Sequence, residues 1–177
     1  ATRSNLDFYV DSGVKATGSN ITSVSGLNHL EGKTVQVIAD GNFHSEQTVS
    51  SGAISIDKQS STIIAGLQYT STLRPMPLEP SLVGRESQSR VKSTSRIVVR
   101  FLNTKGGEVG EEGRQLTNFP VLNTTDPAGQ AITLKTGQQR FFVGSDYERE
   151  KLIEVKQDLP YPMTVLSIAT NLDVEGA

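Results

Sequence analysis

Apolar residues in this chain recur mostly with a period of two, in short runs closed off by Gly, Pro, Asn and Asp, and that rhythm limits the fold more than any other feature. Alternation sends successive side chains to opposite faces, so such runs make half-buried strands rather than helices. The clearest case is residues 26–41, GLNHLEGKTVQVIADG. Gly26, Gly32 and Gly41 stand where the backbone needs conformations that a side chain penalises, and Val35, Val37 and Ala39 share one face of the segment between them. The pattern predicts an all-β fold, either an antiparallel β-sandwich or a barrel-like meander with long irregular connections.

Along the chain, residues 6–10 read as an opening strand and Asp11-Ser12-Gly13 as the turn after it. Strands are expected over residues 33–40, 53–57 and 61–65 as a meander, with Asp40-Gly41-Asn42 the strongest turn signal among them. Pro75, Pro77 and Pro80 remove backbone donors at close intervals, which no ladder strand tolerates, so that stretch reads as an extended connection. Residues 85–103 fit a helix or a long strand by charge alone, but crowding of Ile97, Val98, Val99 and Phe101 favours a strand. Lys105-Gly106-Gly107 makes a turn, residues 109–119 are broken by Gly110 and Gly113, and Pro120 and Asp126-Pro127 extend the irregular region. A hairpin is expected from residues 132–135 and 140–143 around Thr136-Gly137-Gln138, and strands from residues 152–156 and 163–172 on either side of Pro160 and Pro162. With no internal repeat and no low-complexity linker, the expectation is a single β-rich domain over 1–177 with a sub-boundary near 75–86.

A chain of 177 residues can bury roughly 70% of its unfolded surface, enough for a real core. Its 35% hydrophobic and 20% charged residues fit neither a disordered tail nor a membrane protein, and no run approaches the roughly 18 apolar residues of a membrane span. Seventeen basic residues against nineteen acidic ones leave a net charge of −2, so general nucleic-acid binding has no support. The absence of cysteine excludes disulfides, thiolate metal sites and a cysteine nucleophile.

Several constellations bring potentially reactive side chains close together in sequence. His29 with Glu31, and Asp40 with His44, bring imidazole and carboxylate together, but their spacing matches no established metal signature. The preferred reading is architectural: Gly26, His29, Glu31, Gly32, Asp40 and Gly41 form a structural turn motif in which His29 and Glu31 bond backbone groups of their own turn. With only two histidines and no G-x-S-x-G elbow, a serine triad has little basis. Paired acids among Asp57, Glu108, Glu111, Glu112, Asp146, Glu148 and Glu150 suit glycoside cleavage in principle, but Glu111-Glu112 and residues 148–150 read more simply as solvated turn charges. No Walker A or G-x-G-x-x-G sequence is present. The chain reads as non-enzymatic, with no cofactor and no metal. One charge series has a function-like shape: on an extended strand Arg90, Lys92, Arg96 and Arg100 share a parity and project from one face, whose commonest meaning is a plain solvated surface and which also suits an acidic surface of an adjoining subunit or a phosphate backbone.

The residue order in 26–41 resembles the GL-x-HLEG-x-TV-x-V-x-ADG signature of tubular or nozzle-type tail proteins of short-tailed bacteriophages. Two further passages are similar to that family in the same order: SGAISI (51–56) with AGLQYTST (65–72), against its strand, turn and "vGLpYtS" strand, and QDLPYPMTVLSI (157–168), against "qDlPlPlTVlai". The resemblance is poorest over residues 103–143. It implies a structural role in the virion tail: a homo-hexameric ring whose channel conducts the genome, in contact with other tail proteins. It also implies that this chain is a fragment of a longer protein. Such rings need many modest self-complementary contacts rather than a catalytic cleft. Besides the basic series, Pro75, Pro77, Pro80, Pro160 and Pro162 are then candidate subunit contacts, since an extended arm can lie along a neighbour's sheet. Subunit contact ranks above DNA for the basic series, because sticky phosphate contacts would hinder translocation. The competing reading is a receptor- or carbohydrate-binding β-sandwich, with Tyr69, Tyr147 or Tyr161 as the stacking aromatic.

Overall fold

Period-two patterning becomes eleven β-strands and one short 3-10 turn across the residues that the computed structural model describes: 8–79, 90–119, 132–144 and 146–175. All strand pairs are antiparallel, in three sheets, and the fold is all-β as expected. The chain gathers into two compact units: Ala1–Thr70 with Pro120–Leu134 and Asp158–Pro162, and Ser71–Phe119 with Lys135–Gln157 and Met163–Ala177. Where a single domain with a sub-boundary near 75–86 was expected, the first crossing falls between Thr70 and Ser71, and later segments return to the first unit.

The first unit holds one sheet in the order β1-β4-β2-β3, from β1 (Asp11–Ser25), β2 (Thr34–Ala39), β3 (Asn42–Thr48) and β4 (Ala53–Leu67). Between β2 and β3 the two-residue turn has Asp40 at φ 49° and Gly41 at φ 78°, the pair of positive values that a hairpin matching strand twist requires. Val35, Val37 and Ala39 do share a face, packed with Val24, Leu27, Ile54, Ile63 and Ala65 in the unit's core. Gln36 and Ile38 on the opposite face are buried as well, so β2 is a central strand covered on both sides.

The second unit is a sandwich. One sheet runs β5-β10-β7-β8, from β5 (Ser71–Leu73), β7 (Glu108–Glu111), β8 (Thr117–Asn118) and β10 (Ile153–Gln157). The other runs β11-β6-β9, from β6 (Lys92–Thr104), β9 (Lys135–Phe142) and β11 (Val165–Val174). Ile97, Val99 and Phe101 of β6 and Phe141 of β9 meet Val109, Ile153 and Val155 from the facing sheet. Phe101 lies at the centre, its ring centroid 4.6 Å from Phe119 and 6.4 Å from Phe141, both in tilted or edge-on geometry.

Several local expectations are corrected. Asp11-Ser12-Gly13 opens β1 rather than forming a turn, and the two strands expected within 53–65 are one continuous strand, β4. In place of a meander, β4 inserts between β1 and β2, because β1 pairs along the whole length of β4. The hairpin around Gly137 is absent: β9 runs straight through Thr136-Gly137-Gln138 while pairing with β6. Two short strands, β7 and β8, form within the stretch read as irregular. The opening strand expected at 6–10, Pro80, residues 81–89 and the Pro120 to Pro127 stretch lie wholly or partly outside the described residues.

Candidate functional site

Turn chemistry in the first unit is long-range rather than local. Glu31 does not bond its own turn: its two carboxylate oxygens accept the backbone N–H groups of Ser51 at 2.9 Å and Gly52 at 2.7 Å. Those two residues form the tight β3–β4 turn, with φ 55° and 67°, whose outward N–H groups have no ladder partner. His29 Nε2 pairs with the Ser12 carbonyl at 3.0 Å. Asp40 Oδ1 accepts from Ser61 and Thr62 at 2.9 and 3.0 Å, clamping the β2–β3 turn against β4. Gly26, Gly32 and Gly41 all sit at positive φ, as their placement predicted. His44 instead pairs with Asp57 at 2.8 Å, so the His29–Glu31 and Asp40–His44 pairs are dispersed over separate contacts. Among the described residues, no group of three or more His, Asp or Glu is placed to hold a metal ion.

Residues 26–41, 51–56 and 65–70 of the resembling passages lie in this unit together with residues 158–162 of the third. Gln36 Nε2 and Gln68 Nε2 both donate to the Asp158 carbonyl, at 3.4 and 3.0 Å. Tyr161 Oη accepts the Phe43 N–H at 2.6 Å, and the Pro160 carbonyl takes the N–H of Tyr9 at 3.1 Å. Pro160 and Pro162 are therefore buried constituents of the unit and not a free arm. Pro75 and Pro77 lie half-buried in an irregular segment after β5, and Pro80 lies outside the described residues.

In the second unit the expected four-cation stripe is broken. Thr94 pairs with Leu172 and Arg96 with Asn171, leaving Ser95 as an extra residue in β6. That bulge flips the parity of the strand. Lys92 and Thr94 turn inward, whereas Arg96 and Arg100 face out. Lys92 is 0% exposed, its Nζ 2.7 Å from Glu79 and 3.3 Å from the Arg149 carbonyl. Arg90 Nη1 is committed to the Glu175 carbonyl at 3.0 Å. The outward face gains a member that sequence reasoning missed: Arg140 of β9 pairs with Val98, between the two arginines. Arg140 is thus a diagonal cross-strand neighbour of both Arg96 and Arg100, about 7–8 Å from each. None of them has an ion-pair partner among the described residues.

A second charged group surrounds Arg114, in the turn between β7 and β8. Its Nη2 lies 2.7 Å from Asp146 and 3.1 Å from Glu148, and its Nε 3.1 Å from Glu111. The hydrogen bond to Arg114 and its charge hold the Asp146 carboxyl below the usual range, which unsuits it as a general acid at neutral pH. Glu111, read from sequence as a solvated turn charge, has a side chain only 4% exposed and paired with the buried Lys151 at 3.3 Å. Beside it opens a cleft of about 660 Å³, lined also by Gln115, Thr117, Asn118 and Phe142. Of the tyrosines proposed for stacking, Tyr161 is buried, Tyr69 is exposed and Tyr147 is exposed with its hydroxyl on Asp173 at 3.2 Å. Among the phenylalanine and tyrosine rings of the described residues, Phe142 is the most exposed, at 76%.

Comparison of the sequence with known family models and with curated proteins finds no match.

Proposed function

We propose that this chain is a structural component of a bacteriophage tail, a wall or platform segment of a tail tube or nozzle that contributes to ring assembly and genome passage. The observation that carries this reading is the shared Asp158 carbonyl. Segments 26–41 and 65–72 each send a glutamine amide to it, and it belongs to the third resembling passage, roughly ninety or more positions away in the chain. Parts of the three resembling passages are thus tied together by hydrogen bonds, and Glu31 and Asp40 secure two turns of the same unit. The reading is non-enzymatic.

The unpaired arginine face of β6 and β9 supports a subunit contact. These three cations, none held in an ion pair among the described residues, suit an acidic surface on an adjoining copy or tail protein. Labelling the polypeptide and imaging purified particles tests the role. A ring of label at the lower end of a short tail supports it, and a protein found only in the host cell's cytoplasm, with no particle association, removes it.

A further inference from the structure

The sheet β11-β6-β9 ends on both sides in a strand with no neighbour beyond it among the described residues. Ladder alternation fixes which backbone groups are left over. The Val143 N–H donates to the Ser95 carbonyl at 3.2 Å, and the same register continues through Ile97 with Phe141 and Val99 with Gln139, so the N–H and C=O groups of Gln138, Arg140 and Phe142 point away from β6. Arg96, Val98 and Arg100 then spend their own backbone groups on Asn171, Ala169 and Ser167, which leaves those of Ile168, Thr170 and Leu172 pointing outward from β11. Both edges are long, eight and ten residues, and neither contains proline. Their charges are opposite. β9 carries Lys135 and Arg140 with no acid, whereas β11 carries Asp173 with no base and is followed by Glu175. Other described edges are poorer templates: β5 and β8 have three and two residues, and β1 and β3 are broken by register shifts.

We propose that β9 of one copy takes β11 of a second copy as a further strand, joining the two sheets head to tail. Both strands run antiparallel to β6, so with outer faces aligned the new pair is parallel. Setting Arg140 beside Asp173 of the second copy lays all eight residues of β9 against 168–175, and both of these exposed side chains project from the outer face. An edge presents donors and acceptors alternately, which another backbone meets and a phosphate chain, having acceptors only, does not. Like edges are rejected. Two β9 strands bring cation against cation, and two β11 strands bring acid against acid, so the charges select the unlike pair. A contact between two different edges repeats from copy to copy and closes into a ring where the rotation allows. This pairing deepens the subunit-contact reading above and rests on its premise that the chain associates with itself.

Sedimentation and amide hydrogen exchange of the full chain over a concentration series test it. The expected result is association that grows with concentration, with the amides of Gln138, Arg140, Phe142, Thr170 and Leu172 exchanging roughly tenfold more slowly in the assembled form. Gln138→Pro removes one outward N–H without touching a bond to β6, and should weaken association roughly tenfold with the melting temperature kept. Arg140→Asp and Asp173→Arg should each weaken it and together restore it, a readout that stands even if the proline variant fails to fold. The proposal is overturned by a chain that stays monomeric throughout, by an assembled form in which those amides remain unprotected, or by a double charge variant no better than its singles. Assembly through another face would sink this pairing and leave the tail role standing, whereas absence from purified particles would remove the tail role and leave the pairing.

Discussion

Glu31 Oε2 lies 2.7 Å from the backbone nitrogen of Gly52, so a side chain at the end of the 3-10 turn secures a hairpin turn twenty-one positions later. Ser51 completes the bidentate contact through Oε1. Hydrogen bonds to a charged acceptor are stronger than neutral ones, so Glu31→Ala is expected to cost about 1–3 kcal/mol in urea unfolding. Glu31→Gln should recover part of that, because its single carbonyl oxygen accepts one N–H while its NH₂ opposes the other. Equal stability of Glu31→Ala and the parent would contradict the role given to this contact.

The same turn predicts opposite signs at adjacent positions. Ser51 is held at φ 55°, which a side chain resists, so Ser51→Gly should be neutral or mildly stabilising despite the added chain entropy. Gly52 is at φ 67°, and a Cβ there would collide with the Asn28 side-chain amide. Gly52→Ala should cost about 1–2 kcal/mol from backbone strain, plus the collision. Adding Asn28→Ala should relieve the collision alone. Thermal denaturation of Gly52→Ala, Asn28→Ala and the double variant separates the two contributions.

Lys92 and Glu79 predict an asymmetry of their own. Removing the carboxylate leaves an ammonium that is 0% exposed without its 2.7 Å ion-pair partner, whereas removing the ammonium leaves a carboxylate that is 34% exposed and able to hydrate. Glu79→Ala should therefore destabilise by about 2 kcal/mol and Lys92→Met by clearly less, once Glu79's partial exposure is allowed for. Comparable losses in chemical denaturation would mean that the pair is solvated.

Tyr161 gives a pH prediction. Burial pushes its phenol above the ordinary value of 10.0, against the opposing pull of the Phe43 N–H. The folded chain thus holds this proton more tightly than the unfolded one. Its stabilisation is fully present below about pH 10 and is lost as pH rises through the folded value. Tyr161→Phe removes the acceptor for the Phe43 N–H and should cost about 1–2 kcal/mol near neutrality. The stability gap between parent and variant should then narrow above about pH 10. A gap that is constant or widens with pH would contradict this account.

What was legible in the sequence was whatever local chemistry determines. The positive φ angles at Gly26, Gly32 and Gly41 follow from residue type, and the face shared by Val35, Val37 and Ala39 follows from strand period. Less legible was anything decided by a distant partner. The polar Lys58-Gln59-Ser60 segment reads as a break between strands, yet pairing with β1 carries β4 straight through it. Gly137 looks like a turn, but the β6 ladder holds it extended. At Ser95 a single extra residue reverses the side-chain parity, burying Lys92 and recruiting Arg140 from another strand to the basic face. Glu111 reads as a turn charge because Lys151 and Arg114, the cations that permit its burial, come from other positions in the fold.

The proposed role rests on self-association, and the native mass of the polypeptide carrying this sequence tests it most directly. The account predicts a closed homo-oligomeric ring, of hexamer mass, that dissociates when Arg96, Arg100 and Arg140 are all replaced by Glu while the melting temperature is kept. A polypeptide that stays monomeric at every concentration, or a ring indifferent to that charge reversal, would contradict it.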